Sequence, residues 1–397
     1  MRAIKKRQSA TLGLIAALGP FQFDMYLPAL PALIIYFSTT DVMVQLTITA
    51  SLLGMASGQL VMGPITDAMG RRRPLIVALS VFIVASLACL AATNITWMIL
   101  ARYILGFSAA AGFVIVNAFI RDVATGDNAA KLYSTQAAIS SLAPVLAPLV
   151  GGQLLLLGDW HIVFSALAIM GVGVMVSVLI NLPETHPAEK RSPLSFGHTF
   201  SSWGHVLRDS RFVTLILLSG LIFGAIASFI AGAPFALQEG FGLTPTQYTY
   251  AFAAVTVVMF GANTLNRYLL KHFAAIHLLR YGLSQALLAA VVMVTVNIFE
   301  IHSLWITIVG YTLVVSASGF TMANIMGLAM KDHAERAGVA ASMIGVSTSL
   351  FGAISAPLTS LVFGVDVFGV GTFMSIIIVM AAAVGFIGLR KEVAVRH

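Results

Sequence analysis

The chain has 397 residues, of which 59% are hydrophobic and only 9% charged, with a formal net charge of +7. Soluble domains carry about 25% charged residues, so a water-soluble body is excluded, and the apolar excess runs along the whole chain rather than in one anchor. The basic residues sit in short clusters between apolar stretches, as orientation signals do, which points away from nucleic acid. The single cysteine, Cys89, excludes a disulfide framework or a cysteine metal site.

A helix needs about 20 apolar residues to cross a bilayer. Arg2, Lys5, Lys6 and Arg7 precede an apolar run that superficially resembles a leader. That run is too long, is interrupted by Asp24 and lacks a small-x-small site, so it is expected to be the first, uncleaved span. Reading on in chain order, spans are expected near 10–36, 45–66, 74–93, 97–119, 133–157 and 160–182. After a polar segment come 212–237, 247–268, 276–297, 303–328, 338–364 and 369–389. The expected organisation is therefore all-α and polytopic: a six-helix half over 1–182, a linker over 183–211 and a second six-helix half over 212–397. Of the 22 Lys and Arg residues, Arg102 falls deep inside a span and every other, Arg267 and Arg280 at span ends included, lies on the side of the N-terminus. The opposite loops hold Asp41, Asp159, Glu239, Glu300 and Asp366. The positive-inside rule then places both termini in the cytoplasm.

Two landmarks recur at a near-constant offset. Arg121-Asp122 is echoed by Lys331-Asp332, and Ala147-Pro148 by Ala356-Pro357. This suggests a duplicated half, an arrangement found in secondary transporters.

The residues that carry chemistry stand out against this apolar background. Asp24, in QFDMYLPALP, sits mid-span, where an aspartate costs about 2.5–3.5 kcal/mol on insertion scales. It must face the protein interior, where a carboxyl can bind and release a proton as its surroundings change; the alternative is a structural ion pair or a helix-end residue. Pro20, Pro28 and Pro31 break up the helix around it, and discontinuous helices mark binding sites. Between spans two and three, GPITDAMGRRRP sets Gly63 and Gly70 around Asp67, Arg71 and Arg72. A charge cluster there that forms in one conformation and breaks in another would act as a gate latch.

Arg102, the basic residue within span four, stays charged and needs a partner or an aqueous cavity, unless it snorkels to the outer interface. Asp24 is the obvious candidate. Gly106 and Phe113 share the Arg102 face at helical spacing, and Asn117 lies close by. Phe113 is a candidate substrate contact or an ordinary packing residue. In span five, Pro144 and Pro148 bend the helix while Gly151 and Gly152 allow close packing, a conformational element rather than a chemical one. Gly171-x-Gly173 and Gly369-x-Gly371 lack a strand-turn-helix context, and Asn94-Ile95-Thr96 is a short-loop sequon match. The nine histidines lack metal-ligand spacing, and there is no Walker sequence. No cofactor or metal is expected.

Gly63 through Arg72 resembles the loop signature of the major-facilitator transporters. Leu100-Ala101-Arg102 with Gly106 is similar to the helix-four motif of drug/proton antiporters, and Ala147-Pro148 through Gly151-Gly152 to their helix-five motif. Asp24 through Pro31, together with Ser228 through Phe235, resembles the bicyclomycin-resistance (Bcr/CflA) branch. The resemblance runs from about residue 10 to 390. It implies a bacterial inner-membrane exporter with a central cavity between two halves, in which the helix-one acid and helix-four arginine match Asp24 and Arg102. Ala147 stands where many members have glycine, the loop from Asn266-Arg267 is degenerate, and Ala16, Ala17 and Leu18 stand where some drug antiporters carry a second acid.

The expected activity is thus proton-coupled export of small amphipathic antibiotics of the bicyclomycin type, with sulfonamides and phenicols as further classes. The expected partners are drugs, protons and the lipid bilayer, and the carrier is expected to be a monomer. Proton-coupled movement of an amino acid or other metabolite remains open. So do a non-transporting receptor and a membrane-embedded enzyme.

Overall fold

The computed structural model describes residues 6–124, 126–191, 204, 206–332, 337–364 and 366–390. Arg2, Lys5, the charges beyond Arg390 and most of the expected linker after Arg191 lie outside the described residues. The chain forms two compact units, Met1–Phe196 and Gly197–His397. Every described element is helical.

The first unit begins with α1 (Lys6–Asp24), a 3-10 turn at Leu27–Ala29 and α2 (Leu30–Phe37). It continues with α3 (Asp41–Met69), α4 (Arg72–Leu90), α5 (Ile95–Val123), α6 (Gly126–Leu154) and α7 (His161–Asn181). The second unit has α8 (Ser210–Phe235), which runs into a π-turn at Ala236–Gly240 after Pro234, then α9 (Pro245–Leu269) and α10 (Ala275–Ile298). It ends with α11 (Leu304–Asp332), α12 (Ala337–Leu358) and α13 (Val367–Gly388). Eleven helical segments of the described residues are long and apolar enough to cross a membrane, with α1 and α2 counted as one. The twelfth is α6, whose apolar part is Leu142–Leu154. Helix ends fall within a few residues of the expected spans, except that α6 starts at Gly126.

Short polar side chains start the helices at the loops. Thr40, Asn94, Asp209, Thr244 and Asp366 each accept a backbone N–H of the first turn, and Thr244 with Gln247 forms a capping box. Packing between helices relies on small residues, as expected where lipid removes a hydrophobic drive between them. The most extensive contact is that of α3 against α5. A Cβ on Gly106 would lie 2.1 Å from the Ser51 carbonyl oxygen, so only glycine allows this approach.

The burial pattern strengthens the duplication. Buried Val163, Phe164, Leu167, Ala168, Gly171, Val174 and Val178 of α7 recur 207 residues on as buried Val370, Gly371, Met374, Ser375, Ile378, Ala381 and Gly385 of α13. In the same way Met98, Ala101, Arg102 and Leu105 of α5 recur 209 residues on as buried Thr307, Gly310, Tyr311 and Val314 of α11. The second unit therefore carries Tyr311 where the first carries Arg102. Tyr311 packs on Phe229 at 5.2 Å between ring centroids, and Phe229 stacks on Phe252 at 5.3 Å. The equivalent place in the second unit is aromatic and uncharged.

Candidate functional site

Asp24 closes α1, and the helix breaks immediately after it. Pro28 and Pro31 have no N–H with which to return a helical bond to the carbonyls of Asp24 and Leu27, so Met25 and Tyr26 form a turn before the 3-10 segment. The break expected around Asp24 is therefore present, with Pro20 inside an unbroken α1. Asp24 is 5% exposed and makes no hydrogen bond or ion pair among the described residues. The chain on the other side of the break is held by α6. A Cβ on Gly151 would lie 1.8 Å from the Met25 carbonyl oxygen, so α6 meets the break backbone to backbone. Pro148 and Gly152 are buried on the same helix, one turn away and next in sequence.

Arg102 is fully buried on α5. Its Nη1 donates to the Gln22 carbonyl oxygen at 2.6 Å and to Gln22 Oε1 at 3.2 Å. Its guanidinium carbon sits 4.1 Å from the centroid of the Tyr26 ring, a cation–π placement. Nε and Nη2 have no partner among the described residues. The candidate partnership with Asp24 is thus electrostatic rather than a contact pair: Asp24 feels the Arg102 charge, but no oxygen lies within the 4.0 Å of an ion pair. Cys89 of α4, wholly buried, faces the same charge.

Gln22 and Tyr26 are themselves held from α3. Ser51 donates to Gln22 Oε1 at 2.9 Å, and the hydroxyls of Tyr26 and Thr47 share a 2.8 Å hydrogen bond. Phe164 of α7 packs on Tyr26 at 6.0 Å. These neutral partners escaped the sequence reading, although Gln22 is a polar residue inside an apolar run two positions before Asp24.

Phe113 and Asn117 lie elsewhere. Phe113 is 50% exposed on the surface of the unit, and Asn117 donates to the Phe113 carbonyl oxygen at 3.1 Å. The face of α5 that holds Arg102 inside the unit reaches the unit's surface three turns later.

The loop between α3 and α4 forms a second cluster. Arg71, 2% exposed, donates from Nη1 to Asp67 at 2.6 Å and from Nε to Asp122 of α5 at 2.9 Å. Nη1 also reaches Thr66 at 3.1 Å. Of the two partners open to Asp67, Arg71 and Arg72, it is Arg71 that pairs with it, and Asp122 joins the pair. Arg72 turns away and donates from Nη2 to the Leu179 carbonyl. Glu184, just past α7, accepts the backbone N–H groups of Arg71 at 2.8 Å and Arg72 at 3.1 Å. Its Oε1 also takes those of Thr185 and His186. Glu184 thus caps the start of α4 from 112 residues away, where a negative charge is favoured. Gly70 adopts φ +90°, and a side chain there would strike the Glu184 carboxylate at 2.6 Å. Gly63 has open space around it, so its smallness is not needed in this arrangement.

Partial burial pushes the Glu184 carboxyl up, but the four N–H donors outweigh it and hold the group below the usual glutamate range. A depressed carboxylate contributes stability that is present above its unfolded pKa and lost as pH falls through its folded one. Glu184 is solvent-exposed, and screening discounts these bonds, so Glu184→Gln should cost only about 0.5 kcal/mol at neutral pH. The deficit should vanish once acid has protonated the wild-type carboxyl, below the ordinary carboxylate range. Melting curves of both proteins across pH check this.

Comparison with known proteins places this chain in a family. Residues 12–357 match the model of the Major Facilitator Superfamily. The chain is 34% identical to an uncharacterized MFS-type transporter, YdgK of Bacillus subtilis, over 96% of this chain and 94% of that one. It is 27% identical to the bicyclomycin resistance protein homolog of Haemophilus influenzae, over 88% of each. Among solved structures it is similar to a bacterial homolog of the human lysosomal transporter Spinster. The TM-score there is 0.75 at 16% identity, covering 98% of both chains, a likeness of fold. With a family match over most of its length and helices to match, the chain is a multi-pass membrane protein of the major facilitator superfamily.

Proposed function

We propose that this chain is a proton-coupled exporter of small amphipathic drugs, a Bcr/CflA-type antiporter that works as a monomer by alternating access. The observation that carries the reading is the buried carboxyl of Asp24 at a helix break, within electrostatic range of a buried Arg102 that keeps two donors uncommitted. Facing the cytoplasm, the carrier admits a drug and Asp24 gives up its proton, with Arg102 compensating the new charge. Facing outward, Asp24 takes a proton back as the drug leaves. Each inward charge is worth about 2.3 kcal/mol per 100 mV, enough to support a drug gradient of about tenfold or more.

In this reading both termini and the α3–α4 loop lie in the cytoplasm of a bacterial inner membrane, and the Asp67–Arg71–Asp122 cluster is the latch released on opening. The half-exposed Phe113, with Asn117 beside it, is placed as a substrate contact. The bicyclomycin-resistance name of one relative supports the drug class. The greater identity to an uncharacterized transporter is the reason to keep a metabolite substrate as the second reading.

A pH-sensitive probe in respiring everted vesicles tests the proposal. A drug added after acidification should release protons only where the protein is present. Release by no drug, alongside uptake of an amino acid or other metabolite driven by a proton gradient, would replace it with the second reading.

A further inference from the structure

Arg102 has an unusual resting place for a buried guanidinium. Its acceptors are neutral: the carbonyl and side-chain oxygens of Gln22, with the Tyr26 ring beneath. Gln22 is itself wholly buried and fixed at both ends of its amide, with Ser51 donating to Oε1 and Nε2 set 3.7 Å from Met55 Sδ. Held in this way, the amide presents Oε1 to Arg102 as part of the frame. Among the described residues, the titratable groups that face the guanidinium are Asp24 and Tyr26 from α1 and the turn after it, and Cys89 from α4. From α3 come the neutral Ser51, on Gln22, and Thr47, on Tyr26, and α7 contributes Phe164 behind Tyr26.

The side chain at position 22 therefore adjusts how firmly Arg102 is held when Asp24 does not hold it, beside the backbone carbonyl and the Tyr26 ring that remain in any variant. A carboxylate at that place would pair with the guanidinium permanently and leave Asp24 uncompensated. An apolar residue would give up the side-chain acceptor and leave Arg102 freer to move. A neutral amide lies between, a partner strong enough to fix Arg102 and weak enough to be exchanged for a carboxylate. The two uncommitted nitrogens, Nε and Nη2, are available for that exchange.

We propose that Gln22 is a positioning residue that keeps Arg102 in reserve for Asp24 and so sets the pH range over which the carrier exchanges its proton. This rests on the proton-coupled reading above and adds to it the residue that tunes the coupling.

The test uses two substitutions of similar shape that act in opposite directions. Gln22→Glu supplies a competing carboxylate, and Gln22→Met removes the side-chain acceptor. Purified full-length protein in lipid vesicles, carrying carbon-13-labelled aspartate, is titrated while the infrared carboxylic-acid band of Asp24 is followed. The band is assigned by its loss in Asp24→Asn, and the new glutamate is unlabelled and does not interfere. The midpoint should move to more alkaline pH in Gln22→Glu, by about one unit or more, and to more acidic pH in Gln22→Met. The pH profile of drug-dependent proton release should move the same way in each.

Midpoints that overlay the wild type, or that move in one direction for both variants, would overturn the proposal and leave Gln22 a packing residue. Should the glutamate variant fail to fold, the acidic displacement in Gln22→Met decides alone, and an unmoved midpoint there overturns it. The infrared midpoint needs no transport substrate. Wild-type protein that titrates but releases no protons with any drug therefore defeats the antiport reading, while the midpoints still judge Gln22.

Discussion

Asp24→Asn is expected to abolish drug-dependent proton release, to the level of vesicles lacking the protein, while leaving the protein folded. The asparagine has the shape of the aspartate but cannot exchange a proton. In most folded proteins, removing a buried carboxylate from an ion pair costs several kcal/mol because its partner is stranded. Here Asp24 makes no hydrogen bond or ion pair among the described residues, and Arg102 rests on Gln22 and Tyr26 instead. The melting temperature should therefore change little, by the equivalent of about 1 kcal/mol or less. Transport and melting are to be measured on the same preparation. Retained proton-driven export would remove Asp24 from the coupling step, and loss of folding would show that the carboxyl has a structural partner.

Gly151→Ala is expected to damage both folding and transport, although it adds a single methyl group. The new carbon would be placed 1.8 Å from the Met25 carbonyl oxygen, where real contacts stay beyond 3.0 Å. The opposing atom is backbone, so no side chain can rotate away, and either α6 or the turn after Asp24 must shift by more than an ångström. Overpacking of this kind costs about 1–3 kcal/mol where the neighbours can yield. Because the displaced segment carries Asp24 and Tyr26, proton release should fall at least tenfold even in the fraction that folds. Gly173 of α7 provides the control, since a methyl group added there would meet nothing within 4 Å. Gly173→Ala should match the wild type in melting and in flux.

The spans were legible because a bilayer imposes length and apolarity on every crossing, which leaves few alternatives for a chain so short of charge. The break after Asp24 was legible for a different reason: Pro28 and Pro31 remove particular backbone donors whatever the tertiary context. Asp24 and Arg102 announced themselves as charges where charges are expensive. Gln22, Ser51 and Thr47 did not, since neutral polar side chains are common in membrane helices and only the packing of α1 on α3 and α5 reveals which of them meet. The bond from Glu184 to the start of α4 joins residues more than a hundred positions apart, and no local pattern encodes it. Phe113 illustrates a further limit. Helical spacing gives the angle of a side chain around its helix, but whether that angle faces protein or surface changes along a helix as long as α5.

The isolation of Cys89 has a practical consequence. The chain's one thiol is enclosed between α4 and the Arg102 site, with no exposed surface, so maleimides and spin labels will find almost nothing to react with in the native protein. The wild-type carrier is in effect already a cysteine-free background for labelling. Pairs of cysteines placed on exposed helix ends can report distances within and between its two units directly. The motions that the proposed alternating access requires would then be followed without first removing a native thiol.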